Sequence, residues 1–79
     1  MRSSVKGDAA WGSAIRACRA QAGLGQADLA RRLKMTQQDI SKLETARKAI
    51  KGRDIPRVAK ALGIEPRAFF DVFMALYEA

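Results

Sequence analysis

The chain has no histidine and only one cysteine among its 79 residues. These absences exclude histidine-based catalysis, histidine metal sites, zinc-finger spacings and any intramolecular disulfide framework. Glycine and proline are also scarce, with six and two residues, whereas 48% of the residues are hydrophobic. A chain of this length forms one domain at most, and its composition favours compact helices.

Long apolar runs are also absent, since no stretch approaches the roughly 18 consecutive apolar residues of a membrane span. Residues 1–10 lack the apolar core of a signal peptide, and the lone Cys18 suits a reducing compartment. We therefore expect a cytoplasmic protein with no membrane partner. We also expect no cofactor, no small-molecule substrate, and neither catalytic nor metal-binding residues.

The charge is strongly positive and unevenly distributed. The net charge is +7, with a pI near 10.4, and such an excess of Lys and Arg attracts polyanions. Residues 31–60 carry ten of the fifteen basic residues and three acidic ones. Residues 61–79 carry one basic and three acidic residues. The middle third is therefore the predicted polyanion-binding part of the chain.

Apolar spacing predicts five helices and no strands. Residues 1–10 are polar and unpatterned, so we expect a flexible tail that precedes one domain over 11–79. Helix one begins at Trp11, with an apolar face of Trp11, Ile15, Cys18 and Ala22. Helix two covers residues 26–33 and helix three about 37–45, with Thr36 as its N-cap. Helix four begins after Asp54, a predicted cap, and ends at Gly63. The fifth helix runs from about residue 65 toward Tyr77.

The fifth helix is apolar over most of its circumference. One stripe consists of Phe69, Val72, Phe73 and Leu76, and a second, adjacent stripe consists of Phe70, Met74 and Tyr77. A helix with so wide an apolar surface usually has two packing partners. Alternatively, both stripes fill one core. We predict a homodimer with Phe70, Phe73, Met74 and Tyr77 at its interface.

Helix three presents a polar face opposite its buried residues. At about 100° per residue, Gln38, Ser41, Lys42 and Thr45 lie opposite Ile40 and Leu43. A Gln side chain matches the N6/N7 edge of adenine, and Lys suits the O6/N7 acceptors of guanine. Any solvated helix face carries such residues, but a short helix and a tight turn precede this one. Ala30 puts a small side chain where the two helices cross, and their spacing is that of a helix-turn-helix.

At this point the sequence resembles the Cro/cI-type helix-turn-helix regulators, especially the small lambdoid phage repressor domains. The likeness covers about residues 14–70, through the stretches IRACRAQAGLGQADLARRL, TQQDISKLE and IPRVAKALGI. The resemblance implies an all-α, five-helix fold like that of the lambda repressor. It also implies a bacterial or phage protein that binds double-stranded DNA in the major groove.

The resemblance further implies roles for individual residues. Gln26, at the start of helix two, would bind a DNA phosphate. Thr36, Gln37 and Gln38 would open the recognition helix, with the glutamines facing bases and Lys42 as a further base contact. Arg19 and Glu44 would form a structural ion pair.

Two positions depart from the pattern of this family. Lys34 occupies the turn position, and Ala46 the position after the recognition helix, where the family usually has Gly. Gly is favoured where φ is positive. Either these two residues adopt less comfortable dihedral angles or the local path of the chain differs.

A basic connection follows helix three and would lie near the DNA backbone. Its cations are Arg47, Lys48, Lys51 and Arg53. Contacts of this kind set register and affinity without specifying sequence. Alternatively, these four residues are a run of solvated charges that bind no ligand.

The leading hypothesis is a sequence-specific transcriptional regulator, in the simplest case a repressor. We expect it to bind a palindromic operator as a homodimer, and we do not expect it to be an enzyme. Two alternatives in the same class are an antitoxin-type autoregulator, whose apolar last helix binds a toxin, and a restriction-modification controller that also activates transcription. Two rivals lie outside this class. One is packaging of nucleic acid by charge alone. The other is a magnesium nuclease using Asp28, Asp39, Glu44 and Asp54, which helical periodicity scatters.

Overall fold

The computed structural model describes residues 5–79 as five α-helices with no strand in that range. The helices are α1 (Val5–Gln21), α2 (Gln26–Leu33), α3 (Gln37–Glu44), α4 (Ile55–Leu62) and α5 (Pro66–Tyr77), and a single 3₁₀ turn (Gly52–Asp54) precedes α4. The all-α, five-helix prediction is confirmed. Helix α1 packs against α3 and α5, while α2 packs against α3 and α4.

The start of the first helix was predicted wrongly. Helix α1 begins at Val5 and not at Trp11, so residues 5–10 do not form a tail. Ala10 is buried, and Lys6 lies 4.7 Å above the Tyr77 ring at the end of α5. These tertiary contacts stabilise a helical turn that the local pattern does not predict. The remainder of the expected tail, residues 1–4, lies outside the described residues.

The core is formed by the apolar faces of all five described helices. Leu29, Ile40 and Leu62 are fully buried, together with Ile15 of α1 and Phe69 of α5. Ala30 is also buried, as expected for a small residue at the crossing of α2 and α3. The assignment of Ala22 to the buried face of the first helix is wrong, because α1 ends at Gln21 and Ala22 is exposed.

Helices α1 to α4 end in the same backbone arrangement. In each, one residue just beyond the helix has a positive φ, and the next amide donates to a carbonyl five residues earlier, as Arg47 N does to Lys42 O at 2.8 Å. This is the Schellman motif, which favours Gly. Gly23 and Gly63 follow the rule, whereas Lys34 and Ala46 adopt φ of 57° and 62°. Lys34 and Ala46 therefore adopt the less comfortable dihedral angles, and the path of the chain follows the usual pattern of the motif.

Two arginines connect the ends of α2 and α4. Arg32 of α2 donates to the carbonyl of Ala61 at 2.9 Å, and Arg57 of α4 donates to the carbonyl of Leu33 at 2.8 Å. A cation at a helix C-terminus also interacts favourably with the helix dipole. The prediction that the Asp54 side chain caps α4 is wrong, because this side chain makes no capping hydrogen bond. Its carboxylate instead lies 3.5 Å from Arg57.

Aromatic side chains fasten α5 to α1. The Trp11 ring stacks on Phe73 with centroids 3.9 Å apart and lies 5.1 Å from Phe69. Tyr77 continues the stack beyond Phe73 at 5.5 Å. Part of the apolar surface of α5 is therefore used within the chain.

Candidate nucleic-acid interface

Helix α3 begins with a reciprocal cap that fixes its first turn. The Asp39 amide donates to Thr36 Oγ1 at 3.1 Å, and the Thr36 amide donates to Asp39 Oδ2 at 3.1 Å. The predicted N-cap at Thr36 is thus present. The bond from the Thr36 amide to the Asp39 carboxylate is the main cause that lowers the pKa of Asp39. Gln37 and Gln38, the first two residues of the helix, therefore sit on a well-defined backbone.

The predicted face of α3 is open to solvent for most of its length. Gln37, Gln38, Lys42 and Thr45 are exposed, while Ser41 is half-buried. The Thr45 hydroxyl donates to the carbonyl of Ser41 at 2.8 Å. Ile40 and Leu43 on the other side are buried, so the helix is held against the core with its polar side outward.

Glu44 is the buried charged residue at the other end of α3. Its side chain is fully buried, and Arg19 of α1 donates to both carboxylate oxygens, through Nε at 2.7 Å and Nη2 at 2.9 Å. Gln26 Nε2 donates to Oε1 at 3.0 Å. Burial by itself would raise the pKa of Glu44, but the hydrogen bonds from Arg19 and then Gln26 outweigh it, so the pKa is lowered. The resemblance implied this pair, and the structure places the two side chains in direct contact.

Gln26 and Gln37 lie side by side at the starts of α2 and α3. Gln37 Nε2 is 3.5 Å from Gln26 Oε1. The structure thus brings together a predicted phosphate ligand and a predicted base ligand, although eleven positions separate them in the sequence.

The basic connection borders the far end of α3. Arg47, Lys48, Lys51 and Arg53 are exposed, and Lys48 Nζ lies 3.6 Å from Asp39 Oδ1. Helix α3 itself has one basic and two acidic residues. The positive charge of this region therefore lies beside the helix, in the connection.

Two residues that support α3 were missed by sequence reasoning. A Cβ on Gly12 of α1 would clash with the carbonyl oxygens of Leu43 and Glu44, so glycine allows α1 to approach the end of α3 closely. The signal was a glycine inside a helical pattern, which can mark a close packing contact. Arg16 of α1, 3.7 Å from Glu44 Oε1, had no signal, since an exposed arginine on a helix is ordinary.

Comparison with known proteins agrees with this geometry. The sequence of residues 11–69 matches the family described as helix-turn-helix domain. The chain belongs to the helix-turn-helix family. This is a family of DNA-binding transcriptional regulators, and the turn between α2 and α3 is the element that gives it its name.

This helix-turn-helix protein is similar to two bacterial regulators of known structure. One is the clp gene regulator ClgR from Corynebacterium glutamicum, with 26% identity and a TM-score of 0.82 over 87% of this chain and 90% of that chain. The other is the restriction-modification controller protein C.AhdI from Aeromonas hydrophila, with 28% identity and a TM-score of 0.72 over 80% of this chain and 96% of that chain. No curated protein sequence matches significantly.

Residues 5–79 of this helix-turn-helix protein lack two features. No cluster of His, Cys, Asp and Glu suited to a metal ion is found in that part of the chain. None of the helices described there is long and apolar enough to cross a membrane.

Proposed function

We propose that this helix-turn-helix protein is a sequence-specific transcriptional regulator, in the simplest case a repressor, that reads operator DNA with α3. The observation that carries the proposal is the exposed polar face of a helix anchored at both ends, by the Thr36 cap and by the buried Glu44. Gln38 and Lys42 extend from this face, with Gln37, Ser41 and Thr45 beside them. A rigid helix with amide and ammonium groups outward suits base-edge recognition in the major groove.

Phosphate binding is assigned to the residues that flank α3. Because α3 carries more acidic than basic charge, the attraction to DNA must come from its surroundings. Arg47, Lys48 and Lys51 in the basic connection supply it, and Gln26 and Thr36 add contacts at the helix starts. Such contacts position the protein without reading sequence.

We further propose that the protein binds as a homodimer on an approximately palindromic operator. The molecule measures 33 Å along its longest axis and has one α3, whereas successive major grooves lie about 34 Å apart. Two copies are therefore needed to place two recognition helices. Among the proposed interface residues, Phe70 is 44% exposed and Met74 half-buried, whereas Phe73 and Tyr77 also stack within the chain.

Selection of bound fragments from random double-stranded DNA tests the proposal. We expect a consensus with two inverted halves about one helical turn apart. Gln38→Ala should cost about 1–3 kcal/mol and relax the preference at one base position. Gln21→Ala, an exposed change at the end of α1, is the matched control. Equal recovery of all sequences would contradict the proposal and favour packaging by charge alone.

The salt dependence of binding tests the phosphate contacts. Lys48→Ala should weaken binding to all sequences and reduce the slope of log K against log salt by about one. Arg67→Ala, an exposed cation on α5, should leave the slope unchanged, because α5 packs against α1 and α4 and lies away from α3. An unchanged slope in Lys48→Ala would remove Lys48 from the interface.

A controller role, in which the protein also activates transcription, is the second candidate. The similarity to C.AhdI along almost the whole of that chain favours it. A reporter gene downstream of the selected operator distinguishes the two, since its expression falls with a repressor and rises with an activator.

A further inference from the structure

We propose that a cleft beside the basic connection binds a small carboxylate with an apolar body, and that this ligand weakens the binding of DNA. The cleft lies where the connection meets the C-terminal end of α2 and the first turns of α4. Binding of the ligand to the free protein follows from the cleft itself, and only the effect on DNA rests on the proposed function.

The wall of this connection cleft is apolar. Leu33, Leu43 and Val58 are buried residues of α2, α3 and α4, and Met35 and Ile50 are half-buried beside them. The cleft has a volume of about 190 Å³. An apolar cavity of about 150 Å³ can hold benzene, so the connection cleft fits a single ring or a branched chain of similar size.

The rim of the connection cleft is positively charged. Its charged residues are Lys48, Lys51, Arg57 and a single acidic one, Asp54. Arg57 already has two partners, because it lies 3.5 Å from the Asp54 carboxylate and donates to the carbonyl of Leu33 at 2.8 Å. The two lysines therefore provide the cations with which a ligand can pair.

Lys51 is the better placed of the two lysines. Lys48 Nζ lies 3.6 Å from Asp39 Oδ1, whereas Lys51 forms no ion pair within residues 5–79. The carbonyl of Lys51 accepts from the Asp54 amide at 2.8 Å, which fixes its backbone beside the cleft. An ammonium group binds a carboxylate more strongly than it binds a neutral acceptor. An apolar wall next to such a cation favours an anion with an apolar body.

A larger groove elsewhere in the molecule lacks this combination. It has a volume of about 470 Å³, lies between α1, α4 and α5, and is lined only by uncharged residues, Cys18 and Val72 among them. It offers apolar contact but no cation. A neutral ring therefore has no reason to prefer the connection cleft, whereas an anionic ring does.

The ligand and the DNA backbone compete for the same cations. Lys48 and Lys51 are the proposed phosphate contacts of the basic connection, and a carboxylate bound to them reduces the charge that they present to a phosphate. The ligand thus weakens DNA binding, and by linkage DNA weakens ligand binding by the same factor. Because phosphate contacts do not read sequence, the affinity falls for all sequences alike.

Benzoate is the probe for the free protein, followed by nuclear magnetic resonance. We expect the backbone amide signals of Met35, Ile50 and Lys51 to shift on titration. Benzamide, which has the ring without the charge, and acetate, which has the charge without the ring, should each bind about tenfold more weakly or less. Shifts confined to the groove around Cys18, or equal binding of the three compounds, would overturn the proposal.

Two variants test the charge and the cavity separately. Lys51→Gln should weaken benzoate binding about tenfold, whereas Lys60→Gln, an exposed change on α4 outside the cleft, should leave it unchanged. Ala49→Leu, at an exposed residue that lines the cleft, should occupy part of the cavity and weaken benzoate binding without altering DNA affinity. Unchanged benzoate binding in either Lys51→Gln or Ala49→Leu would overturn the proposal.

The effect on DNA is measured in benzoate and in acetate at the same ionic strength. We expect saturating benzoate to lower the affinity for DNA on the order of tenfold and to reduce the slope of log K against log salt by about one. Ala49→Leu should show neither effect. Equal DNA affinities of the parent in the two salts would overturn the regulatory part of the proposal.

The two measurements distinguish failure of the ligand site from failure of the proposed function. If benzoate binds the cleft but no DNA sequence is preferred, the proposed function fails while the ligand site stands. If an operator is selected but benzoate does not bind, the ligand site fails alone.

Discussion

At the scale of single residues, Lys34 and Ala46 are strained and Glu44 is a buried charge. Left-handed conformations cost about 1–2 kcal/mol for residues other than glycine, and Lys34 and Ala46 both adopt them at the ends of α2 and α3. Glu44 is compensated by Arg19 and Gln26. These features surround α3, so the position of this helix depends on a few individual side chains.

Ala46→Gly should stabilise the fold. Relief of the positive φ gains about 1–2 kcal/mol, while the extra freedom of glycine in the unfolded chain removes up to about 1 kcal/mol. We expect a net increase of about 0.5–1 kcal/mol in the free energy of unfolding, measured in denaturant. Ala49→Gly, where φ is not positive, should destabilise. Equal effects of the two changes would contradict the strain argument.

The stability of the protein should fall at acidic pH, and Glu44 should account for part of the loss. Since its pKa is lowered in the folded state, Glu44 contributes stability that is fully present above its unfolded pKa of about 4.3. That contribution is lost as the pH falls from there through the folded pKa. Unfolding curves between pH 6 and 3 should therefore be less pH-dependent in Glu44→Gln than in the parent. Parallel pH dependence in the two proteins would be inconsistent with this role.

At the scale of helices, the decisive contacts lie where one helix meets the end of another. Helix α1 approaches the C-terminal end of α3 at Gly12. Arg32 of α2 donates to a carbonyl at the end of α4, and Arg57 of α4 donates to a carbonyl at the end of α2. The helices are short, eight residues each in α2, α3 and α4. Helices of that length are marginal in isolation, so packing at their ends holds them in place.

Gly12→Ala should be strongly destabilising. The added methyl group would meet the backbone oxygen of Glu44 at 2.8 Å and would clash with that of Leu43, and backbone cannot move aside as a side chain can. We expect a loss of about 2–3 kcal/mol by thermal or denaturant unfolding. Gly7→Ala on the same helix meets nothing within 4 Å and should stabilise by up to about 1 kcal/mol. A neutral Gly12→Ala would mean that α1 can shift away from α3.

At the scale of the whole molecule, charge and apolar surface are separated. The cations beside α3 lie in the basic connection, whereas α5 exposes Phe70 and Leu76, at 44% and 39%. Leu76 belongs to the same stripe as the buried Phe69, but it lies near the end of α5 and remains exposed. Phe73, which was predicted at the dimer interface, stacks on Trp11 of the same chain. The apolar surface available for a second copy is therefore smaller than the sequence pattern predicts, and Phe70 is its most exposed large side chain.

Phe70→Asp should abolish the proposed dimer while leaving the fold intact. A charge at this exposed ring opposes an apolar contact between copies, but the ring lies 6.4 Å from Trp11 and outside the buried core. Molar mass in solution should fall to that of one chain, and operator affinity should fall with it. Arg67→Asp, an exposed change on the same helix, is the control. A dimer that survives Phe70→Asp would place the interface elsewhere.

The sequence by itself determined the helical fold, because apolar spacing, glycines and caps act locally. Helices α2 and α5, the cap at Thr36 and the outward position of Gln38 and Lys42 all follow from patterns within a few residues. Tertiary structure decided what depends on distant contacts: the start of α1 at Val5, the close approach at Gly12, and the meeting of Glu44, Gln26 and Gln37 from separate helices. Spacing along one helix cannot reveal which end of an amide faces a neighbour on another helix, since only the packed molecule brings donor and acceptor together.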